Sequence, residues 1–330
     1  MPKEIIHWKV ADRAAALLRD TDLAGPLRDH ARALSLGAVF PDVLFYLPPP
    51  AAPALVRLPR TLHGGSGEDT FPLLRLQAEH ARNHPGDPAL RAFLVGLASH
   101  VFTDAGMHPF VYHHSGSYET ELTAKIRHRL LETAMDLAAL RNPAELKRWS
   151  LAELLDGPDA DPERLADLEG LAALGGVTSG TLRTALRRSL ARFSRLQTLF
   201  RRPLPASIAH GLRPILPARL RTLSALFYAP RLARMAPLLQ GPLEYLHPVS
   251  GQFVRTSLER LMDEAAEKTA RLCTDLVPVL DGTAAPSDPG FGRGPWSVLW
   301  TERGPGLGSG LPGVGARQGR FFARDFLLPV

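Results

Sequence analysis

The sequence predicts an all-α protein, folded as a multi-helical bundle. Apolar residues recur at spacings of three and four along several long segments, which is the pattern of helices with one buried face. No stretch alternates apolar and polar residues with the period of two that marks a half-buried strand. The segments with helical spacing are residues 10–34, 89–102, 122–140, 182–199 and 253–280.

The connections between these segments are short and rich in Pro and Gly, and none is long enough to be a domain linker. We therefore expect a compact helical core over residues 1–165 and an Arg-rich helical region over residues 166–280 that packs on it. Residues 281–330 are dominated by Gly and Pro and predict a flexible tail. The aromatic residues that could dock this tail are Trp296, Trp300, Phe321 and Phe322.

The chain of 330 residues is long enough to bury a substantial core without covalent crosslinks. Its single cysteine, Cys273, cannot form an internal disulfide. With no cluster of thiols, any metal ion must be held by histidines and carboxylates.

The first ten residues have no apolar stretch and no small-residue cleavage site of the secretory kind. No run of apolar residues is long enough to cross a membrane. These features favour a soluble, cytoplasmic protein.

The formal charge of +6 is unevenly distributed. Between Gly170 and Leu243 the chain has 12 Arg and no Lys, Asp or Glu, so the remainder carries 6 − 12 = −6. A field of one sign indicates an anionic partner, such as a phospholipid surface or a nucleic acid. Leu and Phe interleave with the arginines between Arg183 and Arg234, which favours peripheral contact with an anionic membrane over nucleic acid.

Histidines and carboxylates are spaced for metal binding in two helical segments. His100 and Asp104 are four residues apart, as are His128 and Glu132, so each pair emerges from one helix face. His108 follows one turn after Asp104, and Pro109 predicts that the helix ends there. Burying a carboxylate without a compensating positive charge costs roughly several kcal/mol of stability. The apolar surroundings of Asp104 therefore favour metal ligation, which removes that cost.

A wider set of motifs resembles the zinc-dependent phospholipase C family. In chain order these are HW at His7, GAVFPD ending at Asp42, LHGG containing His63, SHVFTDAGMHP and the pair His128 and Glu132. Relatives of this family include fungal single-strand nucleases and the amino-terminal half of glycosylphosphatidylinositol-specific phospholipase D. The resemblance covers about residues 1–140 and implies a phospholipase C/nuclease-like helical bundle around a zinc cluster.

The resemblance also implies two or three zinc ions and the residues that hold them. One ion would take Asp42, His63, His100 and Asp104, and a second would take His108, His128 and Glu132. A third would share Asp104 as a bridge and add His7. Its remaining ligands would be the amino nitrogen and carbonyl oxygen of Pro2, exposed by removal of Met1.

Such a cluster suits phosphodiester hydrolysis, since zinc makes water nucleophilic near neutral pH and neutralises phosphate charge. By resemblance Asp42 is the candidate general base, although zinc-activated water alone is an alternative. We expect a phospholipid substrate. Two further alternatives remain open: a phosphodiesterase of the single-strand nuclease type, and a helical protein whose zinc is structural and which has no turnover.

Overall fold

The computed structural model describes residues 3–116, 122–285 and 295–314. Within these ranges the chain forms seventeen α-helices and a single two-stranded sheet, which confirms the all-α prediction. The helices of the first half are α1 (Glu4–Leu17), α2 (Ala24–Asp29), α3 (Ala31–Gly37), α4 (Pro53–Leu62), α5 (Pro72–Asn83), α6 (Pro88–Ser115), α7 (Leu122–Ala139), α8 (Leu151–Leu155) and α9 (Pro162–Leu165).

The second half contains shorter helices around two long ones. They are α10 (Leu168–Gly175), α11 (Ser179–Phe200), α12 (Pro203–Leu212), α13 (Ala218–Ser224), α14 (Pro230–Ala233), α15 (Ala236–Gln240), α16 (Leu258–Leu280) and α17 (Val298–Thr301). Short 3₁₀ segments occur at Phe40–Tyr46, Pro143–Lys147, Arg213–Ile215 and Pro295–Ser297. The sheet pairs β1 (Leu243–Leu246) antiparallel to β2 (Phe253–Thr256).

Helix α6 is the centre of the molecule, with α1, α3, α5, α7 and α16 packed around it. It begins at Pro88, and the carboxylate of Asp87 caps it by accepting from the backbone N–H of Ala89. Most of its residues are buried on all sides, as expected of a helix that is apolar all round. The helix therefore carries its few polar side chains directly into the interior.

The prediction that Pro109 ends this helix is wrong, because α6 continues to Ser115. A proline inside a helix removes one hydrogen bond and clashes with the carbonyl of the preceding turn. The following turn buries Phe110 and Val111 in the apolar core, which offsets that cost. His108 consequently lies within the helix rather than at its end.

Two other element boundaries differ from the sequence prediction. The first helix begins at Glu4, six residues before the apolar spacing becomes regular at Val10, so that His7 lies inside it. The segment 253–280 is a strand followed by a helix. Ser257 caps that helix by accepting from the N–H of Arg260, and the partner strand β1 does alternate buried and exposed side chains.

Parts of the chain beyond residue 165 contribute to the same core. Helix α16 packs against α1 and α6, and its apolar residues join the core clusters of the first half. In the tail, Leu299 is buried and the indole N–H of Trp300 donates to Glu79. Of the other aromatic residues expected to dock there, Phe321 and Phe322 lie outside the described residues, as does the side chain of Trp296. The division into three regions stays a prediction. No described helix combines the length and apolarity needed to span a bilayer.

Candidate metal centre

Helix α6 places three of the predicted ligands on one buried face. His100, Asp104 and His108 follow at intervals of four residues, and their exposure is 0%, 0% and 4%. The helix crosses α3 so closely that a Cβ atom on Gly96 would lie 2.1 Å from the carbonyl oxygen of Leu34. This approach brings the carbonyl of Ala38 within 2.9 Å of His100 Nδ1, which donates to it.

Four side chains form a first group around His100. Asp42 comes from the first turn of the 3₁₀ segment Phe40–Tyr46, and His63 is the C-cap residue directly after α4. His63 Nε2 lies 2.9 Å from Asp42 Oδ1 and 3.2 Å from His100 Nε2. Asp104 Oδ2 lies 3.5 Å from His100 Nε2 and 3.8 Å from His63 Nε2. The four predicted ligands of the first ion therefore converge.

Asp104 also faces His7, which extends from α1 on the opposite side. His7 Nε2 lies 3.3 Å from Asp104 Oδ1, and the His7 ring stacks on that of His100 with centroids 4.3 Å apart. The two carboxylate oxygens of Asp104 thus face different histidines. This is the arrangement that a bridging carboxylate requires.

A second group joins α6 to α7. His108 Nε2 lies 3.5 Å from Glu132 Oε1, and His128 Nε2 lies 2.9 Å from the same oxygen. All three side chains are buried. The predicted ligands of the second ion are therefore also brought together.

Backbone carbonyls set the orientation of three of the imidazoles. The Nδ1 atoms of His63, His100 and His108 lie beside the carbonyl oxygens of Pro59, Ala38 and Leu307, respectively. A carbonyl can only accept, so each Nδ1 must carry the proton. The lone pair of each Nε2 is thereby directed at the carboxylates, as in histidines that ligate metals.

Burial and neighbouring charges keep the candidate ligands in the protonation states in which they can bind a cation. Burial lowers the pKa of both His100 and His128 to about 4, so both rings are neutral near neutral pH. Burial opposes ionisation of Asp104, but the nearby His108, His100 and His7 hold its pKa well below the ordinary range. Burial also opposes protonation of His7, but its contact with Asp104 raises its pKa overall.

The donor set fits zinc. With zinc–ligand distances of about 2.0–2.2 Å, the donors of a tetrahedral site lie roughly 3.3–3.6 Å apart. Five of the six donor separations in the first group are between 2.9 and 3.8 Å. Both nitrogens of His7, both oxygens of Asp104 and Nε2 of His108 are buried without a hydrogen-bond partner among the described residues. Buried polar groups are seldom left so, and cation binding would satisfy them.

Each predicted ligand except one can be located. The first group contains Asp42, His63, His100 and Asp104, the second contains His108, His128 and Glu132, and His7 lies against Asp104. Together these residues include the three clusters able to hold a metal ion. Pro2 lies outside the described residues. The number of ions and the Pro2 ligand therefore stay predictions.

Asp136 supports the helix that carries His7, and the sequence reasoning missed it. Its two oxygens accept from the N–H groups of Ile5 and Ile6, and it also accepts from the Tyr228 hydroxyl at 2.6 Å. It thereby caps the amino terminus of α1, whose own N-cap residue, Lys3, makes no side-chain hydrogen bond to the N–H groups of the helix. The signal was present, since Asp136 continues the spacing of four set by His128 and Glu132.

Together, the helical fold and the buried histidine–carboxylate centre define an all-α protein with sites able to hold metal ions. The family model described as zinc dependent phospholipase C matches residues 6–165. This match confirms the resemblance predicted from the sequence. No curated protein and no solved structure matches the chain.

Proposed function

We propose that this protein hydrolyses phosphodiester bonds of phospholipids with zinc bound at the two groups of side chains. The observation that carries the proposal is the convergence of eight buried histidine and carboxylate side chains at zinc-like separations. A purely structural zinc site needs only four ligands. When bound, zinc supplies a positive field that polarises a phosphoryl oxygen and makes water nucleophilic near neutral pH.

Asp42 is the carboxylate of the centre best placed to meet substrate. It is 7% exposed, whereas Asp104 is 0% and Glu132 3% exposed. His63, beside it, is 8% exposed, so these two residues mark the more open side of the centre. A general base must reach the proton that it accepts. We therefore assign to Asp42 the acceptance of a proton from the attacking water.

An apolar side chain stands at this open side. The ring of Phe45 is 42% exposed and lies edge-on to His63, with centroids 5.1 Å apart. An exposed aromatic ring beside a polar centre suits a ligand with a phosphate and a hydrocarbon chain. This feature is compatible with a phospholipid, and the DNA arm of the assay below tests the nuclease alternative, since an exposed ring can also stack on a base.

The test is hydrolysis of phosphatidylcholine, phosphatidylinositol, single-stranded DNA and an aryl phosphodiester by the purified protein. We expect release of a phosphorylated head group, loss of activity on chelation and recovery with zinc. Asp42→Asn should lose at least about 100-fold in kcat, whereas Asp29→Asn, an exposed carboxylate paired with Arg28, should not. Turnover of DNA alone would favour the nuclease alternative, and one bound zinc without turnover would favour a structural role.

We further propose that the Arg-rich region is the surface that contacts an anionic membrane. Leu204, Ile208 and Leu212 repeat every four residues along α12, and they are 71%, 53% and 45% exposed. Ile215, in the turn that follows, is 79% exposed. This part of the sequence contains many arginines and no acidic residue. Apolar side chains beside positive charge match an interface of anionic lipids.

This surface is attached to the metal centre through α7. The guanidinium of Arg129 donates to the carbonyl of Thr222, and the hydroxyl of Thr133 donates to that of Ala225. Arg129 and Thr133 are the neighbours in sequence of the ligands His128 and Glu132. Helix α13 therefore connects a lipid surface held at α12 to the helix that carries the second group.

Vesicle co-sedimentation tests this contact with phosphatidylcholine alone and with added phosphatidylserine. Burying the Ile208 side chain supplies about 1 kcal/mol, so Ile208→Glu should weaken binding by at least about fivefold. Val56→Glu, at an exposed site on α4, is the matched control. Binding should also fall as salt shortens the Debye length, which is about 8 Å at physiological ionic strength. Equal binding to neutral and anionic vesicles would contradict the electrostatic contribution.

A further inference from the structure

The Gly-rich segment 303–314 lies against the metal centre, although its composition predicts a flexible tail. An antiparallel bridge between Pro305 and Pro312 closes it into a loop. Leu307 and Ser309 within the loop are each 1% exposed. The segment is outside the part of the chain that matches the family model. We call residues 303–314 the C-terminal loop.

One residue of this loop contacts both groups of candidate ligands. The carbonyl oxygen of Leu307 accepts a hydrogen bond from Nδ1 of His108, in the second group. The backbone N–H of the same residue donates to the carbonyl of His63, in the first group, at 3.2 Å. Leu307 therefore joins the helix end that carries His63 to the helix that carries His108.

Hydrogen bonds hold the loop in place beside α5. The N–H of Gly304 donates to Asp69 Oδ1 at 2.7 Å, and the hydroxyl of Thr70 donates to the carbonyl of Pro305 at 2.9 Å. The guanidinium of Arg303 donates to the carbonyl of Gly67 at 2.8 Å. A loop with three such anchors is docked at a fixed position.

At its other end the loop makes a backbone contact that only glycine allows. Gly310 has φ of +71°, and a Cβ atom there would lie 2.7 Å from the carbonyl oxygen of Ala105. That carbonyl precedes Pro109 by four residues, so Pro109 has no N–H to donate to it. The proline thus removes a helical hydrogen bond at the place where the loop approaches α6.

We infer that the C-terminal loop is a built-in part of the metal centre and that Leu307 is a positioning residue for His108. Its carbonyl requires the proton of His108 to reside on Nδ1, which leaves Nε2 directed at Glu132. Groups that orient a ligating histidine in this way raise metal affinity by about 10- to 100-fold. The inference goes beyond the proposed function, because it concerns metal affinity whatever substrate is hydrolysed.

A matched pair of glycine substitutions tests the inference in the full-length protein. Gly310→Ala introduces a methyl group against Ala105, whereas Gly282→Ala has the same φ of +71° and nothing within 4 Å. Both variants carry the same backbone strain, so the difference between them reports the contact alone. Zinc stoichiometry and affinity are measured by competition with a chromophoric chelator.

We expect Gly310→Ala to bind zinc at least about tenfold more weakly at the second group and Gly282→Ala to bind like wild type. Nitrogen NMR of the zinc-free proteins adds a readout that a general loss of stability would not change: the protonated nitrogen of His108. This should be Nδ1 in wild type and Gly282→Ala, and a mixture in Gly310→Ala.

Thr70→Val gives the same comparison if Gly310→Ala does not fold, because it removes only the hydroxyl that anchors Pro305. Weaker zinc binding and an altered His108 tautomer in this variant would support the inference. Wild-type zinc affinity together with an unchanged His108 tautomer, in whichever of the two variants is folded, would overturn it.

Discussion

Gly96→Ala should separate two helices and thereby disturb the metal centre. An added Cβ would lie 2.1 Å from the carbonyl oxygen of Leu34 and 2.9 Å from the Cα of Gly37. Both atoms belong to the backbone of α3, so no change of rotamer relieves the contact. A carbon and an oxygen atom that are not bonded approach no closer than about 3.3 Å. The helices must therefore move apart by roughly 1 Å.

The displacement acts directly on a candidate ligand. Ala38, at the end of α3, accepts from His100 Nδ1 at 2.9 Å. An added separation of about 1 Å stretches this contact beyond hydrogen-bond range. His100 would lose the partner that directs its Nε2 toward Asp42 and Asp104. We expect the first group to bind zinc about tenfold more weakly.

The stability of the fold should fall as well. Overpacking between buried elements costs about 1–3 kcal/mol, and replacing Gly by Ala inside a helix returns about 1 kcal/mol. The net loss is therefore up to about 2 kcal/mol, which corresponds to a decrease in Tm of up to several degrees. Thermal unfolding of the zinc-free protein measures this loss separately from metal binding.

Gly106→Ala is the matched control in the same helix. The nearest atom to its added Cβ is the carbonyl oxygen of Leu261 at 4.0 Å, which is an ordinary contact. This variant should keep its zinc and gain up to about 1 kcal/mol from helix propensity. If Gly96→Ala were as stable and bound zinc as tightly as Gly106→Ala, the close crossing would not position His100.

Three further predictions concern the ligands and their support. Asp104→Asn should keep the helix and lose more than one zinc equivalent by metal analysis, because its two oxygens face different histidines; full zinc content would exclude a bridge. Residues added ahead of Met1 should lower zinc content and phosphodiesterase rate relative to protein confirmed by mass to begin at Pro2, since an amide cannot replace the amine; equal values would exclude that ligand. Burial raises the pKa of Asp136 from 3.8 to about 6, so the folded state holds its proton more tightly than the unfolded state. The contribution of Asp136 to the stability of the zinc-free protein should therefore fall by up to about 3 kcal/mol as pH rises from about 4 to 6, while the lowered pKa values of His100 and His128 act in the opposite direction in both proteins. The difference in unfolding free energy between wild type and Asp136→Asn, measured with denaturant at each pH, should decrease by that amount; a difference that does not change with pH would contradict the raised pKa.

Local periodicity made a large part of the structure predictable. The spacing of apolar residues located α6, α7, α11 and most of α16, because a helix buries one face by repeating every three or four residues. The same geometry puts His100, Asp104 and His108 on one face of any helix that contains all three. The apolar spacing did not reveal the alternation of buried and exposed residues in strand β1, because a pattern of four residues is too short to be recognised in a mostly helical sequence.

Asp42 and His63 were accessible only through the family resemblance. Each lies in a short connection without periodic pattern, and neither has a second ligand at helical spacing. Their motifs marked them, and the fold brings His63 Nε2 and Asp42 Oδ1 to 2.9 Å. That distance cannot be inferred from the positions of the two residues in the sequence.

By itself, then, the sequence determined the helical class, the ligands that share a helix, and, through its motifs, the match of residues 6–165 to the zinc-dependent phospholipase C family. Only the tertiary structure decided which ligands meet across helices, such as His7 with Asp104, and which groups orient them. The carbonyls of Ala38 and Leu307 orient His100 and His108, yet every residue has a carbonyl. Because such a group has no sequence signature, its role arises solely from the packing that brings it to the imidazole.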